Sequence, residues 1–367
     1  MLSPLDDYPA HQIAEPILAV ATTDRNFYDR YYFNIHHCSD ELMITAGMGQ
    51  YPNRGVVDAY VSVSRGGTQR VVRASREMGY DRMDTTCGPF SVEVIEGLRR
   101  LRLRCDQAAT DADIDVEMDL AWEGSVPAIE EPKHVYRQAG RGATETARFC
   151  QTGFWSGSLR VGDESFDVTP DSWWGGRDRS WGVRPIGEPE HPGIRGKEEP
   201  AGFFWIYCTM QFPEYAILVM IQEDREGTRF MEEALRVWRD PDRPPEKLGY
   251  PDHDVTFVPG TRTVETASLS FIRPRRDEQR LVITPLRPNY LAIGTGYGVE
   301  ADWRHGMYQG ELVTQSLSFD LEAPEMDRRK RGLIDNCARF ELDGDVGYGL
   351  FEFASLGPHD RYGFGRR

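Results

Sequence analysis

DIDVEMDL, residues 113–120, determines the fold class, because acidic and apolar side chains alternate along it without a break. Isoleucine, valine, methionine and leucine fill the even positions, and aspartate or glutamate fills the odd ones. Alternating side chains lie on opposite faces of a β-strand, whereas an amphipathic helix needs a period of about 3.6 residues. The stretch therefore predicts a strand with one buried face and one face in water.

The same alternation extends outward into both halves of the chain. LRRLRLRC, residues 98–105, follows a run with apolar residues at 90, 92 and 94 across a turn at Gly97, which predicts a hairpin. Residues 267–271, 317–321 and 338–342 alternate in the same way, and glycine turns separate the runs. Short, regularly spaced strands predict an all-β barrel or sandwich. FMEEALRVW, residues 230–238, also fits helical spacing.

An internal repeat sets the domain organisation. The stretches that begin at Glu41 and Gly202 share an apolar strand, a Gln-aromatic-Pro tripeptide, a second apolar strand and a glycine turn. In this register FMEEALRVW aligns with a strand in the first half, which favours a strand there as well. We predict two related barrels, residues 1–170 and 171–367, with a Trp-rich junction at 171–185. Residues 185–200 are rich in proline, glycine and charge, and are expected to form a linker or a loop at a barrel mouth.

Composition excludes several classes of function. With 43 Lys and Arg against 59 Asp and Glu, the net charge is −16, which argues against nucleic acid as a partner. No apolar run reaches the roughly 20 residues that a membrane-spanning helix needs, and the N-terminus lacks the pattern of a signal peptide. The six cysteines are scattered and form no C-x-x-C pair, which predicts reduced core residues in the cytoplasm. The oligomeric state is not predictable from these features.

The most unusual segment is DSWWGGRDRSWGVRP, residues 171–185, which mixes tryptophans with charged side chains. One interpretation is a structural corner in which arginines stack on tryptophan and pair with Asp178. The other is a ligand site in which aromatic walls hold an apolar molecule and a buried carboxyl delivers a proton. Residue types alone favour the structural corner, because ion-pair networks have the same composition.

Two further features have residue types that are common in functional sites. His36 and His37 are neighbours on a predicted strand and point to opposite faces, so we predict no metal site. Glu352 lies between Phe351 and Phe353. If both phenylalanines face the core, Glu352 faces solvent, and this is the favoured interpretation. If the strand is instead polar inside and apolar outside, Glu352 points into a cavity.

RDRSWGVR, residues 177–184, together with a second β half and the terminal GYGLFEF at 347–353, resembles one family. It is similar to the two-domain lipocalin-like proteins grouped around bacterial carotenoid 1,2-hydratases and AttH proteins. The resemblance implies paired lipocalin-like antiparallel β-barrels that bind long apolar molecules. Some such proteins add water to an isoprenoid double bond without a cofactor.

That reaction needs an acid, a pocket that tolerates a cation, and a positioned water molecule. By residue type and clustering, Asp178 is the expected acid, and Tyr362 or His359 is expected to position the water. Trp174 and Trp181 are expected to stabilise the cation through their ring faces. The full set of predicted ligand-binding residues is Trp173, Trp174, Trp181, Arg184, Trp205 and Glu352.

Three functional hypotheses follow. The first is a cofactor-independent hydratase, lyase or isomerase that acts on an apolar isoprenoid-like or steroid-like molecule. The second is a carrier that binds a hydrophobic ligand without changing it. The third is a scaffold, which predicts no cavity. An acid paired with Arg177 and Arg184 would favour binding or a structural role, whereas a buried carboxyl without a partner would favour the enzyme.

Overall fold

A computed structural model describes residues 2–9, 14–138, 141–186, 202–273, 278–298 and 300–365. It is 58% strand and 4% helix, and its two curled antiparallel sheets form a nearly closed barrel and a half-barrel. The prediction of an all-β protein with two barrel-like sheets is therefore confirmed.

The strands are numbered in chain order. The first thirteen are β1 (Phe27–His36), β2 (Leu42–Tyr51), β3 (Val56–Arg65), β4 (Thr68–Glu77), β5 (Thr86–Cys87), β6 (Phe90–Glu96), β7 (Arg100–Cys105), β8 (Val116–Gly124), β9 (Ile129–Glu130), β10 (His134–Gln138), β11 (Arg141–Val161), β12 (Glu164–Val168) and β13 (Trp174–Val183). The last ten are β14 (Phe203–Gln211), β15 (Tyr215–Glu223), β16 (Arg229–Trp238), β17 (Glu246–Lys247), β18 (Tyr250–Phe257), β19 (Val264–Ile272), β20 (Gln279–Tyr290), β21 (Leu312–Asp320), β22 (Ile334–Leu342) and β23 (Asp345–Leu356).

Helices are short in the described part of the chain. They comprise the α-helix α1 (Met326–Arg329) and 3₁₀ turns at Pro4–Asp7, Gln107–Ala109 and Asp360–Tyr362. None of the described helices has the length and apolar character needed to cross a bilayer.

Hairpin pairing of neighbouring strands builds most of both sheets. The first sheet runs β21-β4-β3-β2-β1-β13-β11-β8-β7-β6-β5, and β9, β10 and β12 pair with β11. The second sheet runs β17-β16-β15-β14-β23-β22-β20-β19-β18. Each sheet curls on itself, since β5 contacts β3 and β4, and β18 contacts β16.

The repeat seen in the sequence corresponds to a three-strand meander in each sheet. Strands β2, β3 and β4 are adjacent in the first sheet, and β14, β15 and β16 are adjacent in the second. The Gln-aromatic-Pro tripeptides lie at the ends of β2 and β14, where each hairpin turns. FMEEALRVW lies within strand β16, so the register of the repeat, and not its helical spacing, predicted its structure.

Two strands join the first sheet from positions that the sequence did not suggest. Strand β13, from the Trp-rich segment, lies between β1 and β11, although the predicted boundary assigned it to the second half. Strand β21 comes from the second half and pairs with β4 at the edge of the first sheet. The domain division at residue 170 stays a prediction, and most of the proposed linker lies outside the described residues.

The buried apolar side chains form three main clusters. One lies inside the first sheet around Phe33, Trp122 and Trp155. A second lies inside the second sheet around Phe204 and Phe351. The third lies between the sheets and is formed by outward-facing residues of both, including Tyr32, Tyr207, Leu218 and Cys337. The outer faces of the two sheets therefore pack against each other.

Candidate functional site

A cleft of about 1610 Å³ opens beside this contact between the sheets. Its walls come from β1, β11 and β13 of the first sheet, from β14 and β23 of the second, and from loop residues around Tyr297. Exposed residues such as Lys133 and Phe230 line its mouth. The volume exceeds the 300–1,000 Å³ that is common for small-molecule sites, so the cleft has room for a sizeable molecule and water.

Strand alternation directs Asp178 into this cleft. Arg177 and Arg179, its neighbours on β13, are fully buried on the inner face of the first sheet. Arg177 forms an ion pair with Asp7, and Arg179 pairs with Asp29 at 2.7 Å. Because successive side chains of a strand point to opposite faces, Asp178 lies on the outer face. The pairing of Asp178 with Arg177 that the structural-corner interpretation requires is absent from the described structure.

The opposite wall carries Glu352, and a second acid, Asp335, lies beside it on β22. Tyr207, Glu352 and Asp335 lie in register across β14, β23 and β22 and share one face. The Nε1 of Trp205 donates a hydrogen bond to Oε1 of Glu352 at 2.5 Å. Tyr32, which lies directly opposite Asp178 on β1, donates its hydroxyl to Oδ2 of Asp335 at 2.5 Å. A hydrogen bond from Tyr32 therefore connects the two sheets beside the cleft.

The position of Glu352 differs in part from both predicted alternatives, exposure to solvent and a strand that is apolar on its outer face. Phe351 and Phe353 do face the core of the second sheet, as the favoured alternative assumed. Glu352 nevertheless points into the cleft, because the first sheet covers the outer face of the strand that carries it. Solvent exposure of Glu352 was the wrong expectation.

Asp178 is ionisable near neutral pH. Burial raises the pKa of its carboxyl to about 7, with Arg148 opposing the shift and the nearby carboxylates of Glu131 and Glu352 supporting it. Among the described residues, no side chain or backbone group is hydrogen-bonded or ion-paired to this carboxyl. It is half-buried, and its exposed part faces the cleft.

Arg148 is held by another acid and is therefore not free to pair with Asp178. Its Nε lies 2.5 Å from Oε2 of Glu131, and Tyr207 donates a hydrogen bond of 2.8 Å to the other oxygen of Glu131. Burial opposes ionisation of Glu131, but Arg148 and His134 lower its pKa below the usual value. Burial, together with the proximity of Glu352, raises the pKa of Asp335 well above its usual value. Beside Asp178, whose pKa is about 7, the pKa of one acid, Glu131, is lowered and that of another, Asp335, is raised.

Four of the predicted site residues line the cleft, namely Asp178, Arg184, Trp205 and Glu352. The three tryptophans of the Trp-rich segment do not. Trp173 belongs to the core of the first sheet, Trp174 packs against Phe154 and Tyr348, and Trp181 packs against Phe149. Their predicted role in ligand binding stays untested, but the structure does not bring them to this cleft.

Tyr362 and His359 lie in a separate cluster on the inner side of the second sheet. Both rings stack near Phe204, which belongs to that core. The hydroxyl of Tyr362 is 2.7 Å from Nδ1 of His253, and Glu223 accepts hydrogen bonds from both histidines at 3.0 and 3.2 Å. The structure does not place Tyr362 or His359 beside Asp178.

Sequence reasoning missed several residues in or beside the cleft. Tyr32, Arg148 and Tyr297 line it, and Glu131 and Asp335 bond to Arg148 and Tyr32. Most of them are polar residues on outer strand faces, where water was the default expectation. The sequence nevertheless indicates that some outer strand faces are covered. The apolar runs 202–210 and 215–221 leave no wet face, which indicates strands covered on both sides.

The histidine pair has no metal-site geometry in the structure. Burial lowers the pKa of His36 to about 3, so its imidazole is neutral. Within the described ranges, no group of three or more His, Cys, Asp or Glu residues could hold a metal ion.

Comparison with proteins of known structure identifies the class of fold. The structure is similar to that of an AttH-like protein from Nitrosomonas europaea, with a TM-score of 0.52, 15% identity, and coverage of 91% of this chain and 94% of the other. Kievitone hydratase from Nectria haematococca matches with a TM-score of 0.48 and 13% identity over 89% of this chain and 88% of the other. CghA matches with a TM-score of 0.46 and 10% identity over 92% and 89% of the two chains.

The fold is thus that of the AttH-like proteins, as the resemblance predicted. By sequence, the chain belongs to a family of unknown function, DUF8625, whose defining pattern matches residues 2–365. No curated protein matches the sequence.

Proposed function

We propose that the cleft is the active site of a cofactor-independent hydratase, lyase or isomerase that uses Asp178 as its general acid and base. The substrate class is an isoprenoid-like or steroid-like molecule with a largely apolar body. One observation carries the proposal: Asp178 faces the cleft without a partner among the described residues, and its pKa is raised to about 7. An acid with a pKa near the working pH is present in both the donating and the accepting form.

In the hydration direction, the protonated carboxyl of Asp178 donates its proton to one carbon of a polarised double bond. The π electrons form the new C–H bond, and the adjacent carbon becomes electron-deficient. Water adds to that carbon through an oxygen lone pair, and the proton it loses returns to the carboxylate of Asp178. One water molecule is consumed and the acid is regenerated. The reverse sequence is a dehydration, and proton loss from a different carbon is an isomerisation.

The walls of the cleft suit an electron-deficient intermediate. Tyr32, Trp205 and Tyr297 present aromatic rings around it, and ring faces attract positive charge. Glu352 lies on the wall opposite Asp178, where its carboxyl group would position the water molecule. These residues take the roles that the sequence had assigned to Trp174, Trp181, Tyr362 and His359.

The setting proposed for this activity is the cytoplasm. All six cysteines are free and five are buried. Free thiols persist in a reducing compartment, where disulfides are rare.

The test begins with capture of a ligand from a lipid extract by native mass spectrometry. The captured molecule is then incubated with the protein in H₂¹⁸O and, separately, in D₂O. Hydration adds ¹⁸O to the product, and isomerisation adds deuterium at carbon. We expect Asp178→Asn to slow the reaction by about 10²- to 10⁴-fold, the usual contribution of a general acid.

The matched control is Asp167→Asn, since Asp167 is an exposed aspartate on strand β12 of the same sheet. It should leave the rate unchanged. An unaltered ligand recovered from the wild-type protein would favour a carrier instead, and full activity in Asp178→Asn would refute the acid role.

A further inference from the structure

The cleft has an unpaired cation. Arg184 follows strand β13 and lines the cleft, and its guanidinium carbon lies 4.6 Å from the centre of the Tyr28 ring. The Tyr297 ring lies at 5.9 Å. Its Nε is buried and has no hydrogen-bond partner, and no acidic side chain lies within ion-pair distance in the described part of the chain.

A second arginine increases the positive charge at this end of the cleft. Arg30 lies close enough to Arg184 that the two charges repel, and it is 2% exposed. One nitrogen of Arg30 bonds to Asp58 at 3.1 Å, but its Nε and Nη2 have no partners. Asp58 pairs with Arg30, so no carboxylate among the described residues is paired with Arg184.

An unpaired charge held away from water is costly unless a counter-ion completes it. The unused N–H groups of Arg184 belong to a planar fork that suits carboxylate or sulfate oxygens. Tyrosine rings support the guanidinium by stacking and supply no negative charge. The N–H groups of Arg184 are thus available to an anionic group of a ligand in the cleft.

We propose that Arg184 forms an anion subsite and that the ligand of the cleft is amphipathic, with one carboxylate or sulfate group on an apolar body. The head group binds at Arg184, and the body lies along the wall that includes Phe203, Trp205 and Met231. This inference rests on the proposed function for the identity of the cleft, but binding can be measured without turnover.

A matched pair of probes tests the proposal. 8-Anilinonaphthalene-1-sulfonate and N-phenyl-1-naphthylamine share one aromatic body, but only the first carries a negative charge. We expect calorimetric titration to show tighter binding of the sulfonate to the wild-type protein at one site. Arg184→Gln should weaken its binding by about 10- to 100-fold, the range for a hydrogen-bonded charge, and leave the neutral probe unaffected.

Arg331→Gln is the control, because Arg331 is an exposed arginine that also lines the cleft. An equal loss in both variants would mean general attraction by the basic rim and would overturn the subsite. Absence of sulfonate binding to the wild-type protein would also overturn it. Arg184→Lys, which keeps the charge but lacks the fork, should bind with intermediate affinity, and its circular dichroism spectrum checks the fold.

The outcome is separable from that of the proposed catalysis. Asp178→Asn should still bind the sulfonate, so loss of activity with retained binding would support both proposals. Retained activity in that variant would refute the acid role and leave the anion subsite standing.

Discussion

Asp178 and Glu223 are both acidic residues that border the cleft, but the side chain of Asp178 faces the cleft, whereas that of Glu223 faces the core of the second sheet. Burial favours the neutral form of each. At Glu223, hydrogen bonds from His253 and His359 and the guanidinium of Arg229 outweigh burial and lower the pKa well below its usual value. At Asp178 no such bonds exist in the described structure, and the pKa rises to about 7. Partners, and not depth of burial, decide which acid is available for proton transfer.

The two acids also affect stability in opposite ways. The folded-state pKa of Glu223 is lowered, so its contribution is present above its unfolded pKa of about 4.3 and is lost as pH falls below that value. The pKa of Asp178 is raised. From about pH 4 to pH 7, its ionisation in the unfolded chain therefore reduces the free energy of unfolding as pH rises. Glu223 has the properties of a structural acid, whereas Asp178 is maintained at a cost to the fold.

The largest expected effect is on stability. Glu223→Gln should lower the free energy of unfolding at pH 7 by about 3 kcal/mol, because it removes the charged partner of Arg229 and an acceptor for two buried histidines. Asp178→Asn should leave the free energy of unfolding at pH 7 unchanged or raise it. Urea unfolding of the two variants measures both values. A destabilised Asp178→Asn variant would contradict the comparison.

The next effect concerns the pKa of Asp178 itself. Glu131→Gln removes a carboxylate that supports the raised pKa and leaves the Arg148 charge unbalanced. The titration midpoint of Asp178 should therefore fall from about 7 by about one pH unit. Carboxyl ¹³C chemical shifts report the midpoint, with Asp178→Asn to assign the signal. Glu232→Gln, which alters another acid of the cleft, is the control and should not move it.

The smallest expected effect tests whether the cluster around Tyr362 is independent of the cleft around Asp178. Tyr362→Phe removes one hydrogen bond to His253 but keeps the ring packed on Phe204, so stability should fall by about 1 kcal/mol. Turnover of the captured ligand should stay within twofold of wild type. A hundredfold loss of turnover at unchanged stability would instead support the catalytic role that the sequence suggested for Tyr362.

The sequence predicted the fold more completely than the site. Alternation in residues 113–120 and the repeat register each reflect local rules, the side-chain period of a strand and the spacing of hairpins. Asp178 was found because an acid among tryptophans is chemically unusual. Its neighbour Asp335 was missed because it belongs to the other sheet, and no local pattern encodes which outer faces meet. Glu131 was missed because it approaches Asp178 through the pairing of β9 and β13 with β11, which brings together residues distant in the sequence.

The structural corner and the ligand site are competing interpretations of one segment, and the alternation of side chains along β13 reconciles them. Arg177 and Arg179 point inward and form ion pairs with Asp7 and Asp29, as the corner requires. Asp178 points outward into the cleft. A single strand therefore performs a structural role on one face and presents the candidate acid on the other.

The edge pairing of β21 with β4 has a consequence for how the chain folds during synthesis. Its partners Arg73 and Gln315 are 242 residues apart in the sequence. At the usual 5 to 20 residues per second, β4 would wait for more than about ten seconds on the ribosome before β21 emerged. Until then β4 is an unpaired edge, which favours association with other chains. A nascent chain that ends before residue 312 should consequently expose β4 as an edge, even though it contains every other strand of the first sheet.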